Sequence, residues 1–230
     1  MNGPLHCLRH ERGADTLLIL LPGAYMTAQH FADNGFFAAV DARGLALDLA
    51  AVNLDLAAIS AGDALPAINR DVIAPARAAY RQVWLGGISL GGLLTLGHAA
   101  DYPGALDGLC LIAPYPGSRL TTNTIARAGG LDAWQATAEQ SDDPEFRIWH
   151  WLKEPPAALP AFVGYGTEDR FADGMAQIAR RFPPAACRAR PGDHDWPVWR
   201  TLWADFLDQG HFPMQSGSDT GHRSACKDKG

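Results

Sequence analysis

Basic runs, long apolar stretches and paired cysteines are all missing from this chain. With 19 Lys+Arg against 25 Asp+Glu over 230 residues, the formal net charge is −6. Phosphate backbones are bound by clustered positive charge, so the composition argues against nucleic acid as a partner. The longest tight apolar run, Leu17 to Leu21, stops at Pro22, whereas crossing a bilayer takes about 20 apolar residues. Residues 1–15 contain no apolar segment of the kind a secretory leader needs. No membrane partner is expected, and a cytoplasmic location fits. The four cysteines, Cys7, Cys110, Cys187 and Cys226, form no CxxC pair, so the sequence shows neither a zinc motif nor a thiol-redox motif. Three of them sit in apolar, strand-like segments, where free thiols act as small buried hydrophobes. That usage agrees with a reducing compartment.

What the chain does contain is the balance of an ordinary globular protein, with 47% hydrophobic and 19% charged residues. Short β-rich runs alternate with longer helical patterns, which predicts an α/β fold: a mostly parallel sheet flanked by helices. The runs read as strands are 16–21, 45–54, 82–87, 106–113, 161–166 and 186–190. Helices are expected over 31–43, 71–80, 90–100, 174–182 and 197–207. The first of these strands, TLLILL, is apolar without alternation, as expected of a strand buried on both faces. Residues 115–158 break the rhythm with Gly129-Gly130, Pro155-Pro156 and the tryptophans Trp134, Trp149 and Trp151. They are expected to form a mostly helical insertion over the sheet. From Gln209 the sequence turns polar and aperiodic, so 209–230 is expected to be a disordered tail. One domain over 1–208 accounts for the rest.

The strongest chemical signal is Gly86-Gly87-Ile88-Ser89-Leu90-Gly91-Gly92, between an expected strand and an expected helix. It contains G-x-S-x-G, the nucleophile-elbow pattern. A serine at the tip of so sharp a turn needs small neighbours on either side to let strand and helix approach. The turn would also aim the unpaired amides of the helix N-terminus at the same spot. A serine hydroxyl needs a base, and the base needs an orienting carboxylate. Asp169 follows the expected strand 161–166, and His194 follows 186–190, in the chain order serine, acid, histidine. Glu168 competes for the acid role from nearer the strand end. Asp193 and Asp195 flank His194 and suit loop capping. For an oxyanion the first donor would be the amide of Leu90. The second is expected in the loop Leu21-Pro22-Gly23-Ala24-Tyr25-Met26, from Ala24 or alternatively Tyr25.

With LLPGAYM at 20–26, GGISLGG at 86–92, GYGTEDRF at 164–171 and PGDHDWPVW at 191–199, the chain resembles the α/β-hydrolase family, specifically its small bacterial esterase-like serine hydrolases. The resemblance spans nearly the whole chain except the insertion and tail. It implies an α/β-hydrolase fold with a short helical cap insertion, trimmed of its first two strands. It implies hydrolysis of a carboxylic ester or thioester, a small-molecule acyl substrate, through an acyl-enzyme on Ser89. No metal and no organic cofactor is implied. The oxyanion loop departs from the family pattern, with Pro-Gly-Ala-Tyr in place of His-Gly-Gly. The 115–158 insertion resembles a cap, and Tyr115 and Trp149, with Tyr25 and Trp196 near the site, are the candidate pocket residues. The alternative role for these aromatics is to pin the insertion to the body. Two other functions share the pattern: an acyltransferase using the same three residues, and a non-catalytic ligand-binding protein on the hydrolase fold. Oligomeric state leaves no mark in the sequence.

Overall fold

A computed structural model of the chain describes residues 4–215. Its centre is a seven-stranded sheet: β1 (Cys7–His10), β2 (Thr16–Leu21), β3 (Asp48–Val52), β4 (Gln82–Ile88), β5 (Gly108–Ile112), β6 (Ala161–Gly166) and β7 (Cys187–Arg190). The spatial order is β1-β3-β2-β4-β5-β6-β7. All neighbours pair in parallel except β1, which runs antiparallel to β3 along one edge. This is the α/β-hydrolase fold. The expectation that both leading strands are trimmed is corrected by β1, a short half-buried strand whose mixed polarity hid it in the sequence.

The apolar run of β2 explains the layering. Leu17, Ile19 and Leu21 face one core, and Leu18 and Leu20 face the other. The second core is closed by α1 (Ala28–Asp33), α2 (Phe36–Ala42) and α11 (Trp196–Leu207). The first is covered by α6 (Leu90–Asp101) and by the helices around it: α3 (Leu56–Ser60), α4 (Ala64–Ile68) and α5 (Ala74–Ala79) on one side. On the other side stands the long connection between β5 and β6, which carries α7 (Arg119–Arg127), α8 (Ala138–Asp142) and α9 (Pro144–Trp151). Then α10 (Ala172–Ala179) follows β6.

Three expectations change. The helix read over 31–43 is two helices, broken where Gly35 adopts φ +80° and the Asn34 amide caps the His30 carbonyl at 2.8 Å. The helix read over 71–80 starts earlier, at Ala64, and passes through a π turn over Asn69–Ile73. Pro75 cannot donate to the carbonyl four residues before it, and the wide turn just upstream absorbs that missing bond. The tail is ordered as far as residue 215. Phe212 is buried against the α11 core, Ala46 N–H donates to the Pro213 carbonyl at 2.9 Å, and Gln215 N–H donates to Gly44 at 2.7 Å. Phe212 and these backbone bonds together dock a segment whose composition is polar. Residues 216–230 of that expected tail lie outside the described residues.

Candidate active site

Because β2, β4, β6 and β7 are parallel, the loops that follow them open on one edge of the sheet, where open α/β sheets gather their sites. Ser89 stands between β4 and α6 with φ +54° and ψ −115°, a conformation costing about 1–3 kcal/mol in a non-glycine residue. The glycines around it allow this. A Cβ on Gly87 would lie 2.2 Å from the carbonyl carbon of Gly91, and one on Gly91 would lie 2.1 Å from the Leu21 oxygen. The elbow is stapled to the end of β5, since Ser89 N–H donates to the Ile112 carbonyl at 3.0 Å and Tyr115 N–H donates to the Ser89 carbonyl at 2.9 Å.

His194 Nε2 is 2.9 Å from Ser89 Oγ. Its Nδ1 is 2.5 Å from Asp169 Oδ2, and the other Asp169 oxygen accepts from Phe171 N–H at 2.8 Å. The Asp169 side chain is fully buried, at 0% exposure, while the imidazole retains 17%. The imidazole ring meets the edges of two aromatics, Trp199 at 5.2 Å and Phe171 at 5.8 Å between centroids. The acid and histidine loops touch through backbone, with Glu168 N–H donating to the Gly192 carbonyl at 3.0 Å. Glu168 is exposed and takes no part in this chain of bonds. Asp193 accepts from His194 N–H at 2.7 Å, and Asp195 caps α11 by accepting from Val198 N–H at 3.3 Å. Both flanking carboxylates therefore serve the loop, as expected.

Leu90 opens α6, where the first amides have no helical acceptor. Across the site, Gly23 is close enough that a Cβ there would sit 3.5 Å from Ser89 Cβ. The turn it begins is closed by Met26 N–H donating to the Gly23 carbonyl at 3.1 Å. Neither Ala24 nor Tyr25 donates its amide to an acceptor among the described residues. Tyr25, at φ +62°, points its side chain into solvent with 89% exposure.

The aromatic pocket residues sort differently from the sequence reading. Tyr115 lines a cavity that begins at Leu90 and packs edge-on against Phe171 at 5.1 Å. Burial, with the Glu145 carboxylate nearby, pushes its hydroxyl above the ordinary tyrosine value. Trp149 is corrected: it is 1% exposed and donates its indole N–H to the Pro116 carbonyl at 2.9 Å, holding the β5–β6 connection together. Trp196 is corrected as well, since its ring packs against Phe31 and Phe36 at 6.3 and 5.9 Å. The tryptophan on the imidazole is Trp199, one helical turn further along. The sequence reading also missed Phe171, whose only signal was its place two residues after the acid, and the wall of the cavity made by α3 and α4. Among the described residues no group of three or more His, Cys, Asp or Glu is disposed to hold a metal ion, and no helix is long and apolar enough to cross a membrane.

The same fold is found in solved structures at low sequence identity. An S-formylglutathione hydrolase from Staphylococcus aureus superposes with a TM-score of 0.57 at 16% identity, over 85% of this chain and 81% of its own. A structure from a study of carboxylesterases of the thaumarchaeon Nitrososphaera gargenis gives 0.60 at 15% identity, covering 89% and 92% of the two chains. A monoacylglycerol lipase from Paleococcus ferrophilus gives 0.59 at 12%, covering 90% and 100%. No protein-family model matches the chain, and no curated protein sequence does.

Proposed function

We propose that the protein is a serine hydrolase that cleaves a small carboxylic ester or thioester through an acyl-enzyme on Ser89. The observation that carries this reading is the unbroken hydrogen-bonded chain from Ser89 Oγ through His194 to a fully buried Asp169 carboxylate, at the tip of a strained strand-to-helix turn. In the forward step His194 Nε2 takes the serine proton as Oγ attacks the acyl carbonyl. Asp169 holds Nδ1 protonated and offsets the imidazolium charge. The amides of Leu90 and Ala24 face the developing oxyanion, with Tyr25 the alternative second donor. The proton then passes to the leaving group, and water repeats the sequence to free the acid. The esterases and lipases that share the fold support the reading at the level of reaction type. The residues 115–158 act as the cap, and the protein is expected to work in the cytoplasm.

The test is a Ser89→Ala variant assayed on p-nitrophenyl esters, with a fluorophosphonate probe as the active-serine reporter. Turnover should fall by several orders of magnitude and labelling should vanish, with the circular dichroism spectrum unchanged. Undiminished turnover in the variant, or failure of the native protein to label, would remove the reading. Product analysis with a competing alcohol or amine separates hydrolysis from acyl transfer.

A further inference from the structure

A single apolar face of α6 leads away from the nucleophile. Leu90, Leu93, Leu94 and Gly97 recur at helical spacing and, with Asp101 beyond them, form the floor of a cavity of about 340 Å³. Its walls come from α3–α4, chiefly Ile59 and Leu65, and from α9, chiefly Ile148. The near end opens at Leu90 and Tyr115, the residue after Ser89 and the residue whose N–H is bonded to the Ser89 carbonyl. The floor is closed over at Gly97. A Cβ there would lie 3.0 Å from Leu65 Cδ1 and 3.4 Å from Ile148 Cδ1, so both side chains press on the helix at this glycine and form a waist in the cavity. Past this waist Arg147 grips Asp101 through two bonds of 3.1 and 3.0 Å, while the one carboxylate near Tyr115, Glu145, is tied back by Ser118 N–H at 2.8 Å and the Thr121 hydroxyl at 2.6 Å.

We infer that this cavity takes the acyl part of the substrate as an unbranched aliphatic chain of medium length, and that Leu65 and Ile148 over Gly97 measure it. The inference rests on the serine-hydrolase reading, because the chain must start at the carbonyl held by Ser89. From Leu90 to Gly97 the helix rises about 10 Å. An extended chain advances about 1.2 Å per bond, from the roughly 3.3–3.6 Å spanned by the three backbone bonds of a residue. About eight carbons therefore fit between the nucleophile and the waist. A longer chain must push the two side chains apart and bring methylenes against a hydrogen-bonded ion pair, which leaves charge beside hydrocarbon. A shorter one leaves apolar wall uncovered.

The experiment is a kcat/KM series on p-nitrophenyl esters from acetyl to myristoyl, for the native protein and for Leu65→Ala and Leu65→Trp. Leu65 is only half-buried, so both substitutions stay clear of the sealed core. The native profile should rise at least tenfold from acetyl to about octanoyl and fall beyond about ten carbons. Opening the waist with L65A should move the optimum up by about two carbons. Filling it with L65W should lower the octanoyl-to-acetyl ratio at least fivefold. A profile that is flat or falls steadily from acetyl, or an optimum that stays put in both variants, would overturn the assignment. If Ser89 labels with a fluorophosphonate while chain length has no effect, only the groove fails. If Ser89 does not label and no ester turns over, the hydrolase reading fails and takes the groove with it.

Discussion

Replacing Asp169 by Asn probes the site with almost no change of shape. The carboxylate is fully buried and both its oxygens are committed, one to His194 Nδ1 at 2.5 Å and one to Phe171 N–H at 2.8 Å. An asparagine offers one acceptor and one donor in the same place. If its oxygen keeps the Phe171 amide, the NH₂ faces the imidazole, and Nδ1 must then accept. The ring proton moves to Nε2, and a protonated Nε2 cannot take a proton from Ser89 Oγ at 2.9 Å. If the amide flips, NH₂ faces the Phe171 N–H in a buried site, at a cost of about 1–3 kcal/mol for the unsatisfied donor. The first arrangement is favoured, and it holds the histidine in the unproductive tautomer. The expected loss in kcat is about four orders of magnitude, or ~5 kcal/mol of transition-state stabilisation. The fold should be retained, because shape and packing are unchanged. Single-turnover kinetics on an activated ester, beside thermal unfolding followed by circular dichroism, measures both quantities. A variant with native stability and activity within tenfold of the parent would refute the assignment of Asp169 as the orienting acid.

Two further outcomes test the scaffold. His98, completely buried on α6, bonds Asn69 at 3.2 Å, stacks on Tyr102, and has its Nδ1 without a partner among the described residues. Burial, partly opposed by the nearby Asp101, pulls its pKa from 6.5 down to about 4. Below about pH 6.5 the unfolded chain takes up a proton that the folded one refuses. This histidine therefore erodes stability as pH falls from 6.5 towards 4, by roughly 3 kcal/mol in all. Urea unfolding at pH 7 and pH 5 should show about 2 kcal/mol of that loss, and His98→Phe should flatten it; an equal loss in the variant would reject the account. Gly91→Ala should destabilise by about 3 kcal/mol or more, since the new Cβ would sit 2.1 Å from the Leu21 oxygen and 2.8 Å from that of Pro22, both backbone atoms. Gly104→Ala, with open space around it and only φ +79° to object, should cost about 1–2 kcal/mol. Urea midpoints that reverse this order would contradict the packing argument.

The parts of the structure legible in the sequence are those where local chemistry and global position agree. TLLILL has no polar residue to hide, and β2 ends at the leucine before Pro22. GGISLGG carries a glycine at each point of backbone contact, so its turn could be read without coordinates. That Asp169 and His194 come together at Ser89 was readable because each follows a strand and their order along the chain is constrained. The misreadings share a different cause. A β1 of mixed polarity gains its partner only from Asp48–Val52, more than 35 residues away. Trp196 and Trp199 lie on the same helix, and nothing local says which one turns towards the imidazole. The docking of 209–215 depends on Phe212 finding a pocket among Trp84, Phe206 and His211, a contact composition cannot report. The groove wall from α3 and α4 was invisible for the same reason, being assembled from segments with weak patterns of their own.

That division explains why the candidate site is so well held although its three side chains come from distant segments. Each loop is fixed by backbone before any side chain is placed. Gly166 approaches Gly192 so closely that a Cβ would meet its carbonyl oxygen at 2.4 Å, and Thr167 N–H donates to the Arg190 carbonyl at 2.8 Å. These contacts set the acid loop against the histidine loop. The elbow is independently fixed to β5, and the sheet fixes β4 against β5 and β5 against β6. The imidazole then has little freedom left, with Phe171 and Trp199 edge-on against it and a buried carboxylate behind. Positioning of this kind costs nothing at the moment of reaction, because it was fixed when the protein folded. Gly166→Ala, whose Cβ would also meet the Asp193 oxygen at 2.9 Å, leaves Ser89, Asp169 and His194 untouched yet should lower kcat along with the urea midpoint, and a native kcat in that variant would contradict the argument.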